Sequence, residues 1–383
     1  LKLLDRSPDA LAFFREHAIT AAHGRKIFAI YGADALTVLR KEPYRLADDI
    51  AGNGFYMADR IARNLGIADG STERVAACIR HLVYDAAGQG HAYIDENELM
   101  EQAERLFEID RAAVYTALAG LGEAGDIVVE TDKESSAPPK VFPAWLHAAE
   151  TGVAGRLRAM QTLPLVLPST PVGELLDDME HRLVLQLSAE QRRILEAIWH
   201  HRAAVISGGP GTGKTTTIRA IAEMFHQAGN RICLAAPTGR SARRMTEITG
   251  FTAHTIHKLL EYNLENQHFG RDMDNPIDAD VLIVDEASMI DTVLMHHLLA
   301  AVPLPTRLIL VGDADQLPSI GPGNLLQDLI ISNTIPVYFL NTVFRQNAES
   351  LIIANAHRVL NGEMPVMTAF HHAMDHDAEF VFI

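Results

Sequence analysis

Residues 208–217 read GGPGTGKTTT, and this short string constrains the chain more than any other feature. Gly208, Gly213, Lys214 and Thr215 fill the pattern G-x-x-x-x-G-K-[ST], preceded by the apolar run AAVISG and followed by the helical pattern IRAIAEMFHQAG. Chain of this kind can wrap a phosphate only where glycines let backbone amides turn inward between a strand and a helix. The expected nucleotide-binding set is therefore Gly208, Gly209, Pro210, Gly211, Thr212, Gly213, Lys214, Thr215 and Thr216. Lys214 neutralises the β- and γ-oxygens of ATP, and the Thr215 hydroxyl holds Mg²⁺.

Four further apolar runs, RICLAAP, VLIVDEA, RLILVGD and PVYFLN, read as buried parallel strands alternating with helices. That alternation predicts an α/β domain of the P-loop NTPase class, with a RecA-like parallel sheet and its ligand at the carboxyl ends of the strands. Polar residues fall at those ends. Asp285 is placed to hold Mg²⁺ through water, and Glu286 to polarise the attacking water. Asp313 closes a third strand, and the Gln316 amide is placed to bond the γ-phosphate or that water and to signal hydrolysis.

The front of the chain reads differently. Short helical patterns broken by glycine and proline run from about residue 18 to 67, and DDIAGNGFYMADRIA has the shape of a helix-hairpin-helix. In such a module Gly52 and Gly54 offer amides to a DNA phosphate, although a plain glycine turn between packed helices fits the same pattern. Residues 72–130 give three helices and the strand DIVVET, which suits a winged-helix-like module. Residues 1–45 carry eight basic and five acidic side chains, whereas residues 85–134 carry three and thirteen. The second stretch therefore points to a structural or protein-contact role rather than to DNA reading. The expected layout is a helical region at 1–70, a winged-helix-like module at 71–150, a proline-rich linker at 151–182 and a motor domain at 183–366.

A formal charge of −16 argues against a surface that coats nucleic acid indiscriminately. Cys78 and Cys233, with no ligand spacing around either, read as buried thiols rather than zinc ligands or a disulfide. No apolar run reaches a bilayer's width and the N-terminal stretch lacks a basic start, so a cytoplasmic protein is expected.

The ordered strings SAEQRRIL, GGPGTGKTTT, LAAPTGRSARRM, TAHTIHKLL, VLIVDEASMID, LVGDADQLPSIGPGN and TVFRQNAESLIIANAHRVLNGEMP resemble the motifs of superfamily 1 helicases in their RecD-like wording. The likeness spans about residues 185–366. The segments IYGADALTVLRKEPYRLADDIAGNGFYMADRIARNLGI and GHAYIDENELMEQAERLF are similar to the N-terminal region of the long RecD-like form.

This resemblance implies an ATP- and Mg²⁺-dependent DNA helicase that moves 5′ to 3′ on a single strand in DNA repair or recombination, with single-stranded and duplex DNA as its partners. It implies that Gln191 recognises adenine and that Arg345 reaches the γ-phosphate as an arginine finger. Pro237, Thr238 and Gly239 would meet the single-strand backbone, with Arg240, Arg243 and Arg244 raising the local potential and His254, Thr255 and His257 as further contacts. It also implies a β-hairpin pin within residues 261–276 that helps part a duplex. Two departures stand out: Asn53 lies between the hairpin glycines where the family has an apolar residue, and Asn341 opens the VFRQ motif. The chain ends at AEFVFI with no second set of strands, so residues 367–383 read as the start of a truncated remainder, and ATP binding with feeble hydrolysis and no unwinding is expected of it alone. Two other readings remain: a P-loop ATPase of a conjugative relaxase-helicase assembly, and a nucleotide-gated DNA clamp that does not hydrolyse ATP.

Overall fold

The structure is a computed structural model that describes residues 8–50, 54–132, 136–167, 170–342 and 351–366 of the 383-residue chain. It forms two compact units, residues 1–148 and 149–383.

In the first unit, α1 (Pro8–Glu16), α2 (Ala21–Tyr31), α3 (Ala35–Lys41), α4 (Arg45–Asp49) and α5 (Gly54–Asn64) are followed by α6 (Thr72–Gly88). Then come β1 (Ile94–Asp95), α7 (Glu96–Phe107), α8 (Arg111–Ala124), β2 (Ile127–Glu130) and β3 (Lys140–Pro143). Helix starts coincide with side-chain caps, since Thr20, Ser71 and Asp110 each accept the backbone N–H three residues on. The strands pair antiparallel in the order β1-β3-β2, which with α6–α8 makes a winged-helix-like module.

The two expected front modules share one core. Phe13, Ile27, Leu46, Phe55 and Ile61 belong to the same apolar cluster as Ile79, Leu99, Leu118 and Ile127. Arg74 pins the junction while fully buried. Its Nε and Nη2 donate to the two oxygens of Asp59 at 2.7 and 3.4 Å, and its remaining donors reach Asp69 O and Phe107 O. Tyr44 Oη also donates to Asp59, at 2.9 Å. This is a buried ion pair with additional hydrogen bonds to backbone carbonyls, the condition under which burial of charge is tolerated.

The second unit begins within α9 (Ala144–Thr162) and continues through α10 (Val172–Leu183), α11 (Ala189–Ile198), β4 (Ala203–Gly208), α12 (Lys214–Gln227), β5 (Ile232–Ala236) and α13 (Gly239–Thr249). Next are β6 (Ala253–Thr255), α14 (Ile256–Leu259), β7 (Tyr262–Asn263), β8 (His268–Phe269), β9 (Val281–Val284) and α15 (Thr292–Ala301). The unit closes with β10 (Arg307–Gly312), α16 (Leu325–Ser332), β11 (Val337–Leu340) and α17 (Leu351–Leu360).

Six strands form a parallel sheet in the order β11-β4-β10-β9-β5-β6. Every residue of β4, β9 and β10 is buried, as a sheet covered on both faces requires. The edge strand β6 comes from TAHT, a segment too short and polar to announce itself as a strand.

Where the sequence reading expects a linker, 151–182, the structure has most of α9 and α10. Leu157 and Met160 pack into one core of this unit, and Leu176 and Met179 into the other. Their three-residue spacing is helical, and Pro171 stands at the N-cap of α10 instead of breaking the chain. Among the described residues no helix is long and apolar enough to cross a membrane.

Candidate functional site

The P-loop runs from the end of β4 to the start of α12. Gly211 and Gly213 adopt φ of 80° and 83°, a region open to glycine at little cost. Gly208 is required for another reason: a Cβ there would lie 2.7 Å from Thr212 Oγ1 and 2.9 Å from Leu340 Cβ. The loop is closed on itself, with Thr212 Oγ1 donating to Gly209 O at 2.8 Å. Lys214 Nζ donates to the carbonyls of Gly208 and Gly209 and lies 3.6 Å from Asp313 Oδ2.

Neighbouring strands bring the other groups to the same end of the sheet. Asp285 follows β9, its N–H donating to Ala235 O at 3.0 Å and its Oδ1 accepting the Glu286 N–H at 2.9 Å. Burial pushes the Asp285 carboxyl up to about 6, with the Glu286 charge adding and Lys214 and Arg244 opposing. Glu286 has φ of 54°, an uncommon state for a residue with a side chain and one that clusters at functional sites. Beyond β10, Asp313 is buried, and Gln316 Nε2 donates to its Oδ2 at 3.4 Å. Ala314 N–H donates to Ser207 Oγ on β4, fastening this loop beside the P-loop.

These residues enclose a cleft of about 530 Å³ lined by Gly209, Pro210, Gly211, Gly213, Lys214, Thr215, Thr216, Asp285, Glu286 and Gln316, together with Arg240, Ser241, Arg244 and Met245. Strand order thus assembles motifs that are about 100 residues apart in sequence. The donor set fits a magnesium nucleotide. Backbone amides, Lys214 and two arginines would be available to phosphates bound there, and Thr215 and the solvent-poor Asp285 could supply hard oxygens to Mg²⁺ besides phosphate and water.

Gln191 is 1% exposed and occupied at both ends of its amide. Its Oε1 accepts the Ser188 N–H at 3.0 Å, and its Nε2 donates to Thr217 Oγ1 at 3.2 Å and Gly213 O at 3.4 Å. The residue therefore couples the cap of α11 directly to the P-loop helix. Glu190 beside it was not anticipated: its carboxylate accepts the N–H groups of Asn341 and Thr342 at 3.1–3.2 Å, anchoring the chain at the end of β11. Arg345, four residues after Asn341, lies outside the described residues.

The expected DNA-contact residues divide. Pro237, Thr238 and Gly239 leave β5 beside Thr255 at the end of β6, Ala236 being the register partner of Thr255. Thr238 and Thr255 both spend their hydroxyls as helix caps, on Ser241 N and Lys258 N. His254 is half-buried in β6, paired with Ala235. His257 packs against the hairpin β7-β8, with its ring 5.4 Å from Tyr262 and 6.0 Å from Phe269. Arg240 and Arg244, four apart and so on one face of α13, line the nucleotide cleft, whereas Arg243 does not. In the first unit Gly54 is explained by packing, because a Cβ there would meet Leu46 O at 2.4 Å. Gly52 lies outside the described residues.

Comparison with known proteins gives matches over both parts of the chain. Residues 186–378 match the model of an AAA domain, and residues 6–93 match that of the ATP-dependent RecD2 DNA helicase HHH domain. The chain is 34% identical over 364 residues to the ATP-dependent RecD2 DNA helicase of Deinococcus radiodurans, covering 93% of this chain and 50% of that protein. It is 39% identical over 165 residues to the RecBCD enzyme subunit RecD of Mycolicibacterium smegmatis, covering 37% of this chain and 30% of that one. The chain thus spans half the length of the first relative or less. Among solved structures, the Pif1 helicase from Candida albicans is similar at 22% identity and a TM-score of 0.36, covering 47% of this chain and 45% of that one.

Proposed function

Since the chain belongs to the RecD2-type helicase family, joining an AAA domain to a RecD2 HHH domain, we propose that it is the ATP-binding front of a DNA-translocating motor. The observation that carries this reading is the convergence of Lys214, Asp285, Glu286 and Gln316 on one cleft at the carboxyl ends of adjacent strands. Lys214 leaves its two loop carbonyls for the β- and γ-phosphates, and Thr215 and Asp285 hold the magnesium ion that shields them. Glu286 orients and deprotonates the attacking water. Gln316, tied through Asp313 to Lys214, senses the γ-phosphate and passes its loss to the following loop. Arg345 supplies a further positive charge to the transferring phosphoryl group, and Gln191, buried with both ends of its amide engaged, braces the loop and reads adenine only if nucleotide binding frees that amide.

Single-stranded DNA lies across the ends of β5 and β6, on Pro237, Thr238, Gly239 and Thr255, with His254 and Arg243 close by. The hairpin β7-β8 serves as the pin, presenting Leu264, which is 83% exposed. The module layout, with the hairpin-helix region before the winged-helix-like one and the pin inside the motor domain, belongs to this reading. So do movement from 5′ to 3′, duplex DNA as substrate and a role in repair or recombination. The carboxylate pair at the cleft favours hydrolysis over a clamp that only binds nucleotide.

The test is steady-state ATPase with and without single-stranded DNA, on this chain and on a version extended through a second motor domain. DNA-stimulated turnover in the extended protein that Lys214→Ala abolishes supports the motor reading. Turnover in the short chain that ignores DNA would overturn it.

A further inference from the structure

At the amino ends of the strands, at the opposite end of the sheet from the candidate nucleotide cleft, two arginines are buried with no counter-charge paired to them among the described residues. Arg202 precedes β4 and Arg307 opens β10, and each is 7% exposed. Arg202 donates from Nη1 to Pro305 O and from Nη2 to Pro164 O at 2.7 Å, but its buried Nε–H has no hydrogen-bond partner. Among the described residues the Arg307 side chain donates only from Nη1, to Trp199 O at 2.8 Å and His201 O at 2.9 Å, and its guanidinium carbon stands 5.8 and 5.2 Å from the rings of Trp199 and Phe225. Every partner of either group among the described residues is thus a neutral carbonyl or an aromatic ring.

Unpaired buried charge is among the most costly arrangements in a protein, and two like charges together compound it. The electrostatics agree with the geometry: Arg307 is held down to about 10, first by burial and then by the charge of Arg202. The two arginines wall a cavity of about 550 Å³, with Leu165, Phe225 and Ala228 among its other lining residues. Asp278, Asp280 and Arg231 also line it, both carboxylates paired to that arginine. Two carboxylates beside one arginine leave that part of the lining net negative, which disfavours a long polyanion such as a nucleic-acid strand. A compact anion inside the cavity would meet the guanidinium groups of Arg202 and Arg307 that line it, donors suited to a planar or tetrahedral oxyanion.

We propose that this cavity is a binding site for a small phosphate-like oxyanion, bound by Arg202 and Arg307 and separate from the ATP cleft.

The experiment uses this chain saturated with a non-hydrolysable ATP analogue and Mg²⁺, so that the P-loop is occupied, and follows its Tm as inorganic phosphate replaces chloride at constant ionic strength. A Tm rise of about 5–10 °C is expected at phosphate a hundredfold above Kd. Arg202→Gln should lose that response while binding the analogue normally. Because Arg202→Gln removes two backbone contacts and can fail to fold, Leu165→Glu provides an independent arm. Its carboxylate stands in for the anion, so it should raise Tm in phosphate-free buffer and abolish the phosphate response. A wild-type response no larger in phosphate than in chloride, or a full phosphate response retained by Leu165→Glu, would overturn the proposal. None of these outcomes depends on ATP turnover, so failure of this site and failure of the motor reading are distinguishable.

Discussion

Lys214 Nζ stands 3.6 Å from Asp313 Oδ2, an ion pair that joins the P-loop to the end of β10. The same oxygen accepts from Gln316 Nε2, so the proposed phosphate-binding group and the proposed phosphate sensor share one carboxylate. Removing the lysine leaves Asp313 buried without its cation as well as stripping the phosphates of a charge. Losing one partner of a buried charged pair costs about 2–5 kcal/mol. Lys214→Ala should therefore weaken ATP binding about a hundredfold or more, measured by titration with a fluorescent nucleotide. A change of less than threefold would show that the backbone amides alone hold the phosphates.

Gln191 links a helix cap to Thr217 of the P-loop helix, so its loss should be felt twice. Gln191→Ala should lower stability by about 1 kcal/mol through the broken capping box and weaken ATP binding about tenfold. Thermal melts with and without nucleotide separate the two effects. Undiminished affinity beside a lowered Tm would confine the residue to the cap.

Asp285 gives a pH dependence whose sign follows from its environment. Its folded pKa, about 6, lies above the ordinary carboxyl value, so between about pH 4 and 6 the folded protein binds more protons than the unfolded chain. Stability of the metal-free protein therefore falls as pH rises through that window, by roughly 2–3 kcal/mol from this group. In EDTA, Asp285→Asn should melt several degrees above wild type at pH 8, with the gap closing near pH 5, while losing Mg²⁺-dependent turnover. Equal melting temperatures at pH 8 would mean that the carboxylate is solvated.

Leu264 sits at the tip of a hairpin whose strands are only two residues long, held by Tyr262, Phe269 and His257. If the hairpin is a pin, Leu264→Asp in a version carrying a second motor domain should cut strand displacement at least about tenfold. DNA-stimulated ATPase should stay within about twofold of wild type. A parallel loss of both activities would place the hairpin in the motor's fold instead.

The nucleotide site was legible because each of its elements is local. A strand, a glycine loop and a helix are adjacent in the chain, and Asp285 and Asp313 directly follow apolar runs that read as buried strands, with Glu286 and Gln316 close behind. The helical packing of 151–182 was masked by prolines that flank helices rather than replace them. Gly54 illustrates a different limit: a glycine that serves a phosphate and a glycine that lets Leu46 O approach are the same letter.

The local chemistry of this protein, then, was determined by its sequence: where strands begin and end, which turns need positive φ, and which side chains can carry charge to a phosphate. Tertiary structure alone decided which distant residues meet. Strand order sets Asp313 against Lys214, the helical turn of α13 sends Arg240 and Arg244 to the cleft and leaves Arg243 out, and the packing of the strands' amino ends buries Arg202 and Arg307. The physical reason is that backbone propensity and burial pattern act over a few residues, whereas contacts between charges depend on how whole elements are ordered and rotated in the fold.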